Sequence, residues 1–142
     1  MLSERADEAH KPSSARRKPR DIEHALQVQC VRWFDYQYAS RSRCLFAIPN
    51  GGRRDKVTGA KLKAEGVRAG VADLFLCIAA SGKHGLFIEM KTEERGSRQS
   101  EAQEMFASTA REAGFGYEVC RSLDEFMRSV TAYMNDNLYK NE

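Results

Sequence analysis

The sequence predicts an α/β domain, a mixed sheet flanked by helices, on three observations. Short apolar runs, Leu74-Phe75-Leu76-Cys77-Ile78 and Leu86-Phe87-Ile88 among them, have the length and composition of strands. Apolar residues at helical spacing, Leu26, Cys30, Trp33 and Phe34 early and Phe126, Val130, Tyr133 and Met134 late, mark amphipathic helices before and after those runs. Helices interleaved with strands bury their apolar faces most simply by packing over a sheet.

A chain of 142 residues, 42% hydrophobic, is ample for one core and too short for two. Through Arg20 it has few apolar residues and carries Lys11-Pro12-Ser13-Ser14-Ala15-Arg16-Arg17-Lys18-Pro19-Arg20, so residues 1–20 are expected to be a disordered basic arm. The folded domain is placed at 21–137, with a short tail over 138–142.

The first helix is expected over 21–39. Glu23 extends its apolar stripe by one turn, and an acidic residue on an inward face is unusual. Glu23 therefore either lines a site or sits in the first turn, favouring the helix dipole while remaining in water. Gln27, one turn later, is placed to hydrogen-bond behind it. A strand follows over 43–48.

Next comes a basic loop with a short helix from about Asp55 to Glu65, stopped by Gly66. From Asn50 to Arg68 this segment holds Arg53, Arg54, Lys56, Lys61, Lys63 and Arg68 against only Asp55 and Glu65. It reads either as a solvated helix or as a phosphate-facing rim. Asn50, Arg53, Arg54 and Arg68 are the candidates for DNA contact, because Arg53 and Arg68 lie in glycine-bearing loops that permit close backbone approach.

Strands over 73–79 and 85–91 flank Ala79-Ala80-Ser81-Gly82-Lys83-His84, a turn by composition in which Gly82 is free to take positive φ. Then come a helix over 98–113, glycines at 114 and 116 that suit a helix stop and a turn, a strand over 116–120 and a helix over 122–137.

The hairpin carries the chemistry. Alternation puts Glu89 and Lys91 on one face of their strand and Ile88 and Met90 on the other, while Asp73 stands at the start of the preceding strand. Two carboxylates and an ammonium brought together suit a magnesium-dependent phosphodiesterase. Mg²⁺ takes oxygen ligands, is held by one or two carboxylates and leaves positions for water and phosphate. The cation activates water, and an ammonium beside it orients the nucleophile and offsets phosphate charge. The alternative is a surface Glu-Lys pair behind an ordinary turn Asp. Glu89 is, however, the only Asp or Glu in the chain with a Lys two positions later.

Four stretches extend the pattern: Glu23-His24-Ala25-Leu26-Gln27, Ile48-Pro49-Asn50-Gly51-Gly52-Arg53, Gly66-Val67-Arg68-Ala69-Gly70-Val71-Ala72-Asp73-Leu74, and Phe87-Ile88-Glu89-Met90-Lys91 followed by Gln103. In content and order they resemble the VRR-NUC (virus-type replication-repair nuclease) family of the PD-(D/E)xK superfamily, over about residues 21–122. The resemblance implies a restriction-endonuclease-like core. It also implies that Asp73, Glu89 and the Met90 backbone carbonyl bind Mg²⁺ or Mn²⁺, that Glu23 completes the acidic cluster, and that Lys91 is catalytic. Gln103 takes a supporting place there, although by position alone it is equally an exposed helical residue. Ala72 stands where the superfamily has Pro, which shapes backbone and makes no bond to metal.

The expected function is a divalent-metal-dependent DNA endonuclease acting on branched DNA, similar to Holliday-junction resolvases that work as homodimers. Alternatives are a flap or nicking nuclease, a non-catalytic nucleic-acid-binding module that keeps the fold, and an α/β protein with a structural metal or none.

Other features are quieter. Cys30, Cys44, Cys77 and Cys120 lack Cys-x-x-Cys spacing and read as small buried hydrophobes in a reducing compartment. His10, His24 and His84 are scattered and read as surface or turn residues. A net charge of +3 does not by itself indicate nucleic acid. No apolar run is long enough for a signal peptide or membrane span, so an intracellular protein is expected, in a bacterial cytoplasm or phage-infected host, with no membrane partner and no small-molecule cofactor.

Overall fold

The computed structural model describes residues 16, 18–49, 56–92 and 99–136. The order is α1 (Pro19–Gln37), a 3₁₀ segment (Ala39–Cys44), β1 (Leu45–Ala47), α2 (Lys56–Ala64), β2 (Leu74–Leu76), β3 (Leu86–Met90), α3 (Glu101–Glu112), β4 (Gly116–Cys120) and α4 (Leu123–Met134). The strands form one mixed sheet in the order β1-β2-β3-β4, antiparallel from β1 to β3 and parallel between β3 and β4. A parallel pair needs a crossover, and α3 supplies it.

One face of the sheet carries the main core. Leu74, Leu76, Leu86, Ile88 and Met90 pack with Cys30 and Phe34 of α1 and Phe126, Val130 and Tyr133 of α4. On the opposite face Phe87 lies among aromatics, 4.5 Å from Phe75, 5.0 Å from Phe106 and 5.4 Å from Phe115 between ring centroids. Ala72, Ala107 and Tyr117 are buried beside them, so α3 closes this side. Ala72, just before Asp73, is fully buried.

The hairpin turn forms as its composition predicts. Ser81 and Gly82 both take positive φ, 51° and 71°, and Ala80 pairs with Lys83 across the turn. Its anchorage comes from the last helix and the turn after it: the Tyr133 hydroxyl donates to the Ile78 carbonyl, the Ser81 hydroxyl to the Tyr133 carbonyl, and the Asp136 carboxylate accepts from the Ser81 N–H. These bonds hold the hairpin over α4 at the end opposite the carboxylates.

Several boundaries differ from those expected. Helix α1 begins at Pro19, because Pro suits the first helical position. It ends at Gln37, and the 3₁₀ segment takes what was expected to begin the first strand, leaving β1 three residues. Strand β2 is also three residues, and past its end Cys77 is exposed rather than buried. Cys44 is half-buried, whereas Cys30 and Cys120 are buried and burial pushes both thiols up to about 12. Most of the 1–20 arm and the 138–142 tail lie outside the described residues. No described helix is long and apolar enough to cross a membrane.

Candidate active site

The sheet register builds the site. Leu74 pairs with Ile88 and Phe75 with Phe87, and continuing that ladder by one residue sets Asp73 opposite Glu89. Facing residues of adjacent strands project to the same side, so the two carboxylates are neighbours. Asp73 is fixed from two directions. Its carbonyl accepts from the Ile48 N–H at 2.8 Å, and its Oδ2 accepts from the Met90 N–H at 2.7 Å.

Glu89 is 3% exposed. Its Oε1 accepts from Gln103 Nε2 at 2.7 Å and lies 3.8 Å from Lys91 Nζ. Its Oε2 is buried and has no hydrogen-bond partner among the described residues. An unsatisfied buried carboxylate oxygen is costly, and it leaves one acceptor free for a ligand. Burial, followed by the neighbouring Asp73 charge, pushes the Glu89 carboxyl up to about 8, against the pull of Lys91 and with a smaller rise from Glu23. Asp73 is also raised, by burial above all, although the Met90 N–H works the other way.

Gln103 has two roles that position alone left open. Ser100 caps α3 by accepting from the Gln103 N–H at 3.2 Å, and Gln103 Oε1 accepts from the Ser100 N–H at 2.8 Å, closing a capping box. The same side-chain amide then directs its N–H to Glu89. One residue thus ties the start of α3 to the acidic strand.

Glu23 reaches the site from α1. A cavity of about 530 Å³ is lined by Glu23, Gln27, Val28, Val31, Asp73 and Met90, with His24 and Arg32 at its exposed side. Glu23 is half-buried there, not free in water at the helix start. The structure therefore brings Glu23, Gln27, Asp73 and Met90 to one cavity, with Glu89, Lys91 and Gln103 joined to it through the hairpin. Among the described residues no three His, Cys, Asp or Glu side chains are drawn together tightly enough to hold an ion by themselves. Two carboxylates facing across a hairpin, one with a spare buried oxygen, still suit a cation that keeps water ligands.

The basic segment is only partly visible. Asn50, Arg53 and Arg54 lie outside the described residues. Arg68 is exposed and donates to the Lys63 carbonyl at 3.2 Å, capping the end of α2. In the glycine-bearing loop of Arg68, Gly70 approaches α3: at φ 84°, a Cβ there would stand 2.4 Å from the Ala102 backbone. The sequence reading missed His24 and Arg32 as cavity residues. Their signal was the spacing 24, 28, 32 beside Glu23, one turn apart along α1.

The VRR-NUC domain model matches residues 12–124. A solved structure described as a VRR_NUC domain protein is 25% identical and superposes with a TM-score of 0.69, covering 80% of this chain and 88% of that one. No curated protein matches the chain.

Proposed function

The chain belongs to the VRR-NUC domain family and is a nuclease-type protein with an α/β nuclease-like core, and from that premise we propose that it is a Mg²⁺- or Mn²⁺-dependent DNA endonuclease. The observation that supports this most is the hairpin register, which sets Asp73 against Glu89, whose Oε2 has no hydrogen-bond partner among the described residues. Asp73, Glu89 and the Met90 carbonyl would hold the ion, with Glu23 and Gln27 on the facing wall of the cavity. When bound, such an ion lowers the pKa of water and offsets charge on a phosphate.

The remaining chemistry belongs to the chain. Lys91 stands beside Glu89 on the same strand face, mostly buried, so its ammonium acts with little screening. It orients the attacking water and stabilises the negative charge that grows on the phosphate oxygens. Gln103 fixes Glu89 in place by its 2.7 Å bond, and supporting groups of this kind hold ligating carboxylates in register. The apolar side of the hairpin packs on α1 and α4, so the site is carried by rigid elements.

The proposed substrate is branched DNA and the proposed assembly a homodimer, since one small domain carries one site and symmetric cutting of two strands needs two. A panel of four-way junction, flap, splayed arm and plain duplex, each with Mg²⁺ or Mn²⁺, tests substrate and reaction together. Lys91→Ala is expected to lose at least about a hundredfold in rate. Equal cleavage by that variant would remove Lys91 from the mechanism, and no cleavage of any substrate by the unaltered protein would end the nuclease reading.

A further inference from the structure

We propose that His24 and Arg32 of α1 form a phosphate-binding subsite for the DNA backbone at the mouth of the Asp73 cavity. This inference rests on the nuclease reading and assigns to that site two residues with no role so far.

Gln27, Val28 and Val31 form the half-buried helical wall of the cavity, while His24 and Arg32 are exposed beside them. The two lie one turn before and one turn after Val28. At 1.5 Å of rise per residue their backbones are about 12 Å apart along the helix, so they flank the opening. Asp73 stands across it and Glu23 beside His24 on the same helix, with Glu89 opposite Asp73 in the hairpin. A phosphodiester approaching this acidic cluster is repelled unless cations at the entrance compensate.

Arg32 is suited to that task. It makes no hydrogen bond or ion pair with any described residue, and Asp35, one turn on, is exposed and does not pair with it. Its guanidinium donors are thus available in a planar fork that matches phosphate oxygens. His24 can donate an N–H to the same backbone in either protonation state. The half-buried valines between them lower the local dielectric, which strengthens a charge-assisted bond formed at the rim. A solvated helix face would also present exposed cations, but Arg41 and Arg128 do so without touching this cavity.

The test measures binding of a fluorescent four-way junction in a Lys91→Ala background with Mn²⁺, across a salt series, and Mn²⁺ binding by calorimetry. Arg32→Gln is expected to weaken DNA binding about tenfold and to flatten the log–log salt slope by about 0.9, the signature of one lost phosphate contact. Arg32→Lys is expected to keep the slope, and His24→Gln to weaken binding by about threefold. With Lys91 intact, Arg32→Gln should raise KM with little change in kcat. Unchanged affinity and slope in Arg32→Gln would overturn the proposal, as would loss of Mn²⁺ binding in that variant, since the residue would then be supporting the fold. DNA bound but never cut by the unaltered protein would sink the nuclease reading, while the salt slope would still decide the role of Arg32. DNA not bound at all would overturn both.

Discussion

Glu89 makes the stability of the metal-free protein depend on pH in a direction opposite to ordinary acid denaturation. The unfolded carboxyl titrates near 4.5, and in the folded protein burial and Asp73 push it up to about 8. Between those values the native state holds a proton that the unfolded chain has released. Stability from this group is therefore fully present below 4.5 and is lost as pH rises toward 8. One pH unit corresponds to about 1.4 kcal/mol. The rise from pH 5 to pH 8 should then cost on the order of 3 kcal/mol, or roughly 10 °C in Tm for a domain of this size. Asp73, also raised, adds in the same direction. Thermal melts in EDTA at pH 5, 6, 7 and 8 measure the slope, and Glu89→Gln, which has no proton to lose, should flatten most of it. A divalent ion competes for the deprotonated carboxylates, so its stabilisation should be larger at pH 8 than at pH 5. Identical slopes for the unaltered protein and Glu89→Gln would refute the reasoning.

Three further outcomes are expected. Gln103→Ala removes both the reciprocal cap of α3 and the donor to Glu89, so denaturant unfolding should show a loss of about 2 kcal/mol, and calorimetry should show Mn²⁺ affinity reduced 10–100-fold, about the effect of losing a supporting partner. Gly70→Ala should cost at least about 3 kcal/mol, because positive φ and a collision with α3 act together, whereas Gly82→Ala, with nothing within 4 Å of its Cβ, should cost only about 1 kcal/mol. Near-equal losses for the two in the same unfolding assay would disprove the close approach at Ala102. Tyr133→Phe should lose roughly 1–2 kcal/mol by stranding the Ile78 carbonyl, yet leave kcat unchanged because that bond lies at the far end of the hairpin.

Much of the fold was legible because local periodicity and local chemistry agree with the tertiary arrangement. Strand β4 spans Gly116–Cys120 as read, and β3 and α2 lie inside their expected bounds. The pairing of Asp73 with Glu89 was legible as well, since one hairpin with a Gly-bearing turn fixes which residues face each other. Strands β1 and β2 were overestimated because apolar composition continues past the last ladder pair, and composition does not say where a neighbouring strand ends. Cys77 shows the consequence, an apolar residue in an apolar run that the end of β2 leaves exposed.

From the order of its residues alone, then, the polymer determined an α/β core and a hairpin bearing Asp73, Glu89 and Lys91, because each depends on neighbours a few positions away. Only the tertiary structure decided that Gln103 both caps α3 and holds Glu89, that Arg68 caps α2, that Gly70 serves the docking of α3, and that His24 and Arg32 border the cavity of Asp73. Those roles arise where segments distant in sequence come into contact. Such contacts follow from sheet order and helix packing over the whole domain, which no local spacing encodes.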